Sequence, residues 1–217
     1  MKQFICVLFS CMMGVSAFTQ PEHAELTHYL FPEFTSGVIL MKTGNRNNAS
    51  LNYNALTEEM VFDNNGQKRA IAEHEIIQID TVFIKDRKFI VLNGKFVECL
   101  HQSGWDLYVE YKCRLREPAK ASGYGTTSET AAVESYSSLH YGGQVYDLKL
   151  PDYEVDPYFY YWLNRDGEIS RFINMKQLKK LYKDRKDSLK EYMKDNDVGY
   201  DNKQSIIQLI DYLESNH

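Results

Sequence analysis

Residues 36–115 alternate apolar and polar positions in short runs separated by turn-forming residues. In the run 107–114, Leu107, Val109, Tyr111 and Cys113 fall on one side, and Glu110, Lys112 and Arg114 on the other. A period of two marks a strand with one buried face. Ile77, Ile79, Thr81 and Phe83 repeat the alternation, and Val82 and Ile84 opposite them imply that both faces of that strand are partly covered. Thr43-Gly44-Asn45, Asn64-Asn65-Gly66, Asn93-Gly94 and Ser103-Gly104 separate the runs, and Asn-Gly supplies the positive φ angles of a tight hairpin. Seven or eight such strands joined by short turns make an antiparallel sheet that must curl or close to protect its edges. The connections leave no room for the crossover helices of a parallel sheet.

The pattern changes after residue 115. Residues 116–143 are rich in Ser, Thr, Gly, Ala and Tyr without sustained periodicity, which predicts a long loop or a short helix near 129–135. Residues 144–150 read as another strand, and residues 158–173 as a hairpin turning at Asn164-Arg165-Asp166-Gly167. Three helices follow. Asn174 caps 175–183 with Gln177 at the capping-box position. A second covers 186–194 and buries Leu189, Tyr192 and Met193. The third covers 203–215, is capped by Asn202, and carries a stripe of Ile206, Ile207, Leu209, Ile210 and Leu213. Short helices with such stripes must pack on each other or on the sheet. The predicted fold class is α+β: a curled antiparallel sheet, barrel- or sandwich-like, followed by a β-hairpin and about three short C-terminal helices. The expected division is a signal peptide at 1–19, an antiparallel β domain at 20–115, a Ser/Thr/Gly-rich loop at 116–143, and a strand, hairpin and helical tail at 144–217. Within 18–35, Tyr29, Leu30, Phe31 and Phe34 form an apolar cluster expected to pack on the sheet.

The signal peptide rests on the positive start Met1-Lys2-Gln3 and the apolar run 4–18, too short for a span of about 20 residues. Cleavage is expected after Ala17 or near Thr19 and Gln20. Leu8-Phe9-Ser10-Cys11 resembles a bacterial lipobox, with Phe9 off its pattern. No later segment is apolar enough to span a membrane, so the expected location is the periplasm, the outer-membrane surface or the medium. The charge of −5 excludes a strongly basic nucleic-acid binder. Cys99 and Cys113 remain after cleavage. A turn at Ser103-Gly104 pairs Cys99 with residue 108 or 109 rather than 113, which favours two buried thiols over a disulfide.

The words YKCRL, GYGTTSETAAVESYSSL, YDLKLPDYEV and YYWLNRDGEISRF, behind a signal peptide and a strand meander, resemble a group of uncharacterised exported proteins of Bacteroidota. The resemblance covers nearly the whole mature chain. It implies a Gram-negative envelope or secreted location and brings no active site with it.

Chemistry-bearing constellations are sparse. Residues 195–201 (DNDVGYD) look like a calcium loop, but Gly199 is fifth rather than sixth and the twelfth position is Ile206; a polar helix connector is the simpler reading. Residues 123–128 lack the third glycine of a phosphate loop. Cys99 and His101 are expected on one face of a strand near Cys113, which would suit a metal or a Cys–His pair, without an identifiable third member. Asp80-Thr81-Val82 and Asp187-Ser188-Leu189 are similar to the Bacteroidota O-glycosylation motif. Lys176, Lys179, Lys180, Lys183, Arg185, Lys186 and Lys190 crowd the first two helices with Asp184, Asp187 and Glu191 interleaved, a solvated face or an anionic-surface contact. The candidate ligand or partner surface is Tyr124 and Tyr136 in the loop with Tyr158, Tyr160 and Trp162 in the hairpin; the alternation lets half of that aromatic run line one surface. No catalytic residue, cofactor or metal is assigned. The leading expectation is an exported, non-enzymatic binding or interaction protein whose partner is an envelope protein or glycan. The alternative is a glycan- or lipid-ligand binder using the inside of the sheet or the aromatic hairpin. The third is a hydrolase-type enzyme centred on the 123–143 loop near Cys99 and His101.

Overall fold

The structure, a computed structural model, describes residues 28–116 and 154–215. The expected signal peptide, the 116–143 loop beyond its first residue and the 144–150 strand lie outside the described residues.

Ten strands form one antiparallel sheet: β1 (Thr35–Met41), β2 (Arg46–Asn54), β3 (Glu59–Asn64), β4 (Gln67–Ala70), β5 (Ile79–Ile84), β6 (Arg87–Leu92), β7 (Lys95–Ser103), β8 (Trp105–Arg116), β9 (Glu154–Arg165) and β10 (Glu168–Phe172). Their order is β10-β9-β8-β7-β6-β5-β1-β2-β3-β4. The order follows the chain except where helix α1 (Glu73–Ile76) returns it from edge strand β4 to β5, beside β1. Asn93-Gly94 turns β6 into β7 with both residues at positive φ, as its sequence predicts. Lys85, at φ 55°, turns β5 into β6 with no Gly or Asn to announce it. The 158–173 hairpin is not an appendage: β9 pairs with β8 along all twelve of its residues, from Trp105↔Arg165 to Arg116↔Glu154.

The sheet curls into a half-barrel. The Tyr53 hydroxyl donates to the Tyr111 carbonyl at 3.2 Å, and the Cys113 amide donates to the Ala55 carbonyl at 3.0 Å. These bonds bring the end of β2 across the concave side to β8. The pairing registers align Ile39, Val82, Phe89, Glu98, Val109, Tyr161 and Phe172 in one row across that side. On β5 the inward set is therefore Val82 and Ile84, both fully buried, while Phe83 is 40% exposed and Ile77, in the turn after α1, is 68% exposed. The phase of that strand is set by its two neighbours rather than by its own alternation, in which both faces carry apolar residues.

The protein fills its own trough. Helices α2 (Met175–Leu181), α3 (Lys186–Asp195) and α4 (Lys203–Ser215), with a 3-10 turn at Lys183–Arg185, share one core cluster with the sheet. Ile206, Leu209, Ile210 and Leu213 bury the α4 stripe. Tyr161 and Tyr200 lock β9 to the α3–α4 connector: the Tyr161 hydroxyl donates to the Tyr200 carbonyl at 3.0 Å, and the Tyr200 hydroxyl to the Phe159 carbonyl at 2.8 Å. Both predicted caps form, Asn174 accepting from the Gln177 amide and Asn202 from the Ser205 amide. The Gln177 side chain accepts from the Ile173 amide, one residue before the cap. At the other end, Phe31 is buried edge-on to Phe89. Asn52 fills the gap where residues 31–34 leave β2, accepting from the Phe31 and Tyr53 amides and donating to the Phe31 and Glu33 carbonyls.

Gly37 of β1 faces this interior. A Cβ there would meet the Phe83 carbonyl oxygen at 2.6 Å and a Leu51 methyl at 2.8 Å. Gly37→Val is expected to lower stability by about 1–3 kcal/mol, the usual cost of overpacking. Urea unfolding should show a lower midpoint with an unchanged slope; an unchanged midpoint would mean that β1 has room that its neighbours do not show.

Candidate functional site

The aromatic run of β9 divides by face. Phe159 and Tyr161 point into the trough, against Tyr200 and Phe172. Tyr158, Tyr160 and Trp162 point outward, half-buried, onto the convex side. Strand pairing sets Lys112 opposite Tyr158, Glu110 opposite Tyr160, and both Tyr108 and Arg171 opposite Trp162. Tyr158 and Tyr160 meet edge-to-face at 5.5 Å. The Arg114 guanidinium lies 4.4 Å over the Tyr158 ring, and that of Arg171 lies 5.0 Å from Tyr160 and 5.6 Å from Trp162. Each such contact is worth about 0.5–1 kcal/mol at an exposed site. Their effect is to order the rings and cations together rather than to stabilise the fold.

Beside the rings lies an ionic cluster with two charges of each sign. Glu110 is only 2% exposed. It accepts from the Trp162 indole at 2.9 Å and from the Lys112 and Lys95 ammoniums at 3.3 and 3.4 Å. Both lysines also donate to Glu58, from the β2–β3 turn. Burial pushes the Glu110 carboxyl up, but the indole and the two ammoniums together outweigh it and hold the group below its usual range. The outcome is an aromatic and cationic face on β8–β10 over a neutralised base. It can stack on flat or CH-rich surfaces and can bind carboxylates through Arg114 and Arg171.

Three of the five candidate surface residues, Tyr158, Tyr160 and Trp162, are thus brought together; Tyr124 and Tyr136 lie outside the described residues, as does the 123–128 glycine-rich fragment. Sequence reasoning missed Arg114, Arg171 and Glu110 as members of the face. The signal was present in the hairpin, because a turn at Asp166-Gly167 fixes Arg171 opposite Trp162.

Cys99 and His101 do not share the strand face on which the sequence places them. The β7–β8 register slips between them, so that Cys99 stands opposite Tyr108 on the convex side and His101 opposite Leu107 on the concave side. Leu100 is the extra residue of this bulge, which reverses the alternation the sequence implied. His101 stacks on Trp105 at 3.9 Å. Cys99 and Cys113 are free thiols. Burial, with Asp156 and Glu58 adding to it, pushes the Cys113 thiol up to about 12, the condition of an inert core cysteine. Residues 195–201 end α3 and connect it to α4, and no group of three metal-ligating side chains occurs among the described residues. Thr81 is buried and its hydroxyl donates to Asp80 at 2.8 Å, which withdraws one of the two O-glycosylation motifs from the folded surface.

A second titratable cluster sits inside the trough. Arg87 forks onto Glu98 with bonds of 2.6 and 2.8 Å. The Tyr111 hydroxyl donates to the same carboxylate and accepts from the Lys203 ammonium at 2.7 Å. Burial, aided by Arg87, holds the Lys203 ammonium below its usual value despite Glu98 nearby. Burial and the Glu98 carboxylate raise the Tyr111 hydroxyl. The charged groups bond one another, which makes this a structural network.

No protein-family model, curated protein or solved structure matches the chain. No described helix is long and apolar enough to cross a membrane.

Glu110 gives the face a pH dependence. Its folded pKa lies below the unfolded value of about 4.3, so its stabilisation is present above that value and lost as pH falls through the lower, folded one. Glu110→Gln is expected to cost on the order of 1.5–3 kcal/mol at neutral pH, the range for charged hydrogen bonds. The gap from wild type should begin to close as pH falls below about 4.3 and vanish only below the lower, folded value. Urea midpoints at several pH values read this directly; a gap that stays constant into acid would show that the Glu110 charge does not stabilise the fold.

Proposed function

We propose that this protein is an exported, non-enzymatic binding module of a bacterial envelope or secretome, which engages a macromolecular partner through the convex aromatic–cationic face of β8–β10. The observation that carries the reading is that face: Tyr158, Tyr160 and Trp162 in one outward row with Arg114 and Arg171 against their rings. Aromatics and arginine are the side chains enriched where proteins bind one another. Export is supported by the apolar run 4–18 behind Lys2 and by the resemblance to exported Bacteroidota proteins.

A glycan ligand is the second reading. Half-exposed tyrosines in a row offer stacking faces for sugar rings, and the arginines suit acidic sugars. The version of that reading with a lipid or glycan inside the curled sheet is the less favoured one, since among the described residues the concave side carries the buried side chains of α2–α4 and the sheet's own core. The enzyme reading is centred on the 123–143 loop, outside the described residues, and the separation of Cys99 from His101 gives it no support.

The test is a pull-down of the tagged chain from detergent-solubilised envelope of its own organism, run beside the variant Tyr158→Ala, Tyr160→Ala, Arg171→Ala. These outward positions lie off the core, so the variant is expected to keep native circular dichroism. One dominant protein retained by the native chain and lost from the variant is the expected result. Oligosaccharide binding lost from the same variant, with no protein retained, would favour the glycan reading. A partner held equally by both chains would remove the face from the account.

A further inference from the structure

Residues 175–195 carry eight basic and four acidic side chains in a chain whose net charge is −5. The structure sorts these charges. A groove of about 470 Å³ between α2 and α3 is lined by Lys179, Lys180, Lys183, Lys186, Lys190 and Lys194, over Leu189 and Met193. No acidic residue lines it. Of the interleaved acids, Asp184 pairs with Arg185 at 3.6 Å. The six lysines are exposed, and none makes an ion pair among the described residues. Like charges four apart on a helix destabilise it by about 0.2–0.5 kcal/mol per pair, and Lys186, Lys190 and Lys194 form two such pairs in succession on α3. Asp187 and Glu191, three residues before Lys190 and Lys194, offset that repulsion along α3, and the groove itself remains a cationic site that suits an anion.

The shape narrows the anion. The lysines flank an apolar floor, and the α3 ladder repeats at about 6 Å, four residues of helical rise. Acidic side chains four apart on a helix repeat at the same distance, and alternate side chains of an extended strand repeat at about 6.8 Å. A lipid surface is held most strongly where apolar side chains protrude among the cations, whereas Leu189 lies at the bottom of the groove, 3% exposed. A single nucleic-acid strand draws much of its affinity beyond the phosphate contacts from stacking faces, and no aromatic residue lines the groove. We propose that the α2–α3 groove binds an acidic peptide segment of a partner protein, its carboxylates on the lysine rows and an apolar side chain over Met193 and Leu189, in the helix-in-groove manner. The inference uses none of the β8–β10 face and stands apart from it.

Fluorescence anisotropy of the purified protein with a short labelled peptide of glutamates around two leucines tests this. Expected are saturable one-to-one binding that weakens with added salt, and a loss of roughly tenfold or more in affinity on Lys186→Glu with Lys190→Glu. Met193→Ser should weaken the Glu/Leu peptide and leave the weaker binding of an all-glutamate peptide unchanged. Lys42→Glu, an exposed charge reversal away from the groove, should change neither. Exposed lysine substitutions leave the core intact, and circular dichroism checks that they do. Absence of saturable binding overturns the proposal. So does equal affinity for the all-glutamate peptide. Tighter binding to phosphatidylglycerol vesicles, or to single-stranded DNA, than to the peptide, lost on the same charge reversal, overturns it in favour of a lipid surface or a nucleic acid.

Discussion

A single carboxylate, that of Glu98, sits in the apolar row that crosses the concave side of the sheet. Leaving such a charge unpaired in a core costs several kcal/mol, so the groups that satisfy it must arrive together. Arg87 of β6 forks onto it, Tyr111 of β8 donates to it, and Lys203 at the start of α4 reaches it through the Tyr111 hydroxyl. The Arg87 guanidinium is itself packed over the rings of Phe31, Phe89 and Tyr111. The segment before β1, the central strands and the last helix therefore all meet at the network built on this charge. The helical tail completes the sheet by supplying the far wall of the same core.

That constraint directs function outward. A half-barrel with an empty trough would be a natural ligand cup, but here Tyr161, Tyr182, Leu178, Leu189 and the α4 stripe occupy it. Under the proposed function, recognition falls to the outside. The convex side of β8–β10 presents rings ordered by cations, and the α2–α3 groove presents cations over an apolar floor. The two surfaces differ in chemistry. Their exposed residues come from different elements, so the rings and arginines of one can be altered apart from the lysines of the other.

Much of the fold was legible from the sequence because its signals are local. The Asn-Gly and Asp-Gly turns, the caps at Asn174 and Asn202, and the α4 stripe each depend on a few adjacent residues. The phase of β5 was not legible, since Val82, Ile84, Ile79 and Phe83 make both of its faces apolar and only β1 and β6 decide which turns inward. Nor was the β7 bulge, in which Leu100 is one residue among alternating ones until the partner strand sets the register. Half of the candidate site followed from period two alone, which puts Tyr158, Tyr160 and Trp162 on one side. The cations that order them come from β8 and β10, and their placement is a property of pairing. The clustering of six lysines around a groove depends on how α2 and α3 pack, and the sequence alone shows only a mixed-charge helical stretch.

The claim on which the rest depends is that the tail is part of the sheet's core. Amide hydrogen exchange on β7, β8 and β9, compared between the intact chain and one ending after Ile173, tests it most directly. If the tail fills the trough, removing it exposes Glu98, Tyr111 and Tyr161, and exchange across these strands should accelerate by orders of magnitude toward that of an unfolded chain. Undiminished protection in the shortened chain would show that the sheet stands without its helices, and would contradict the account.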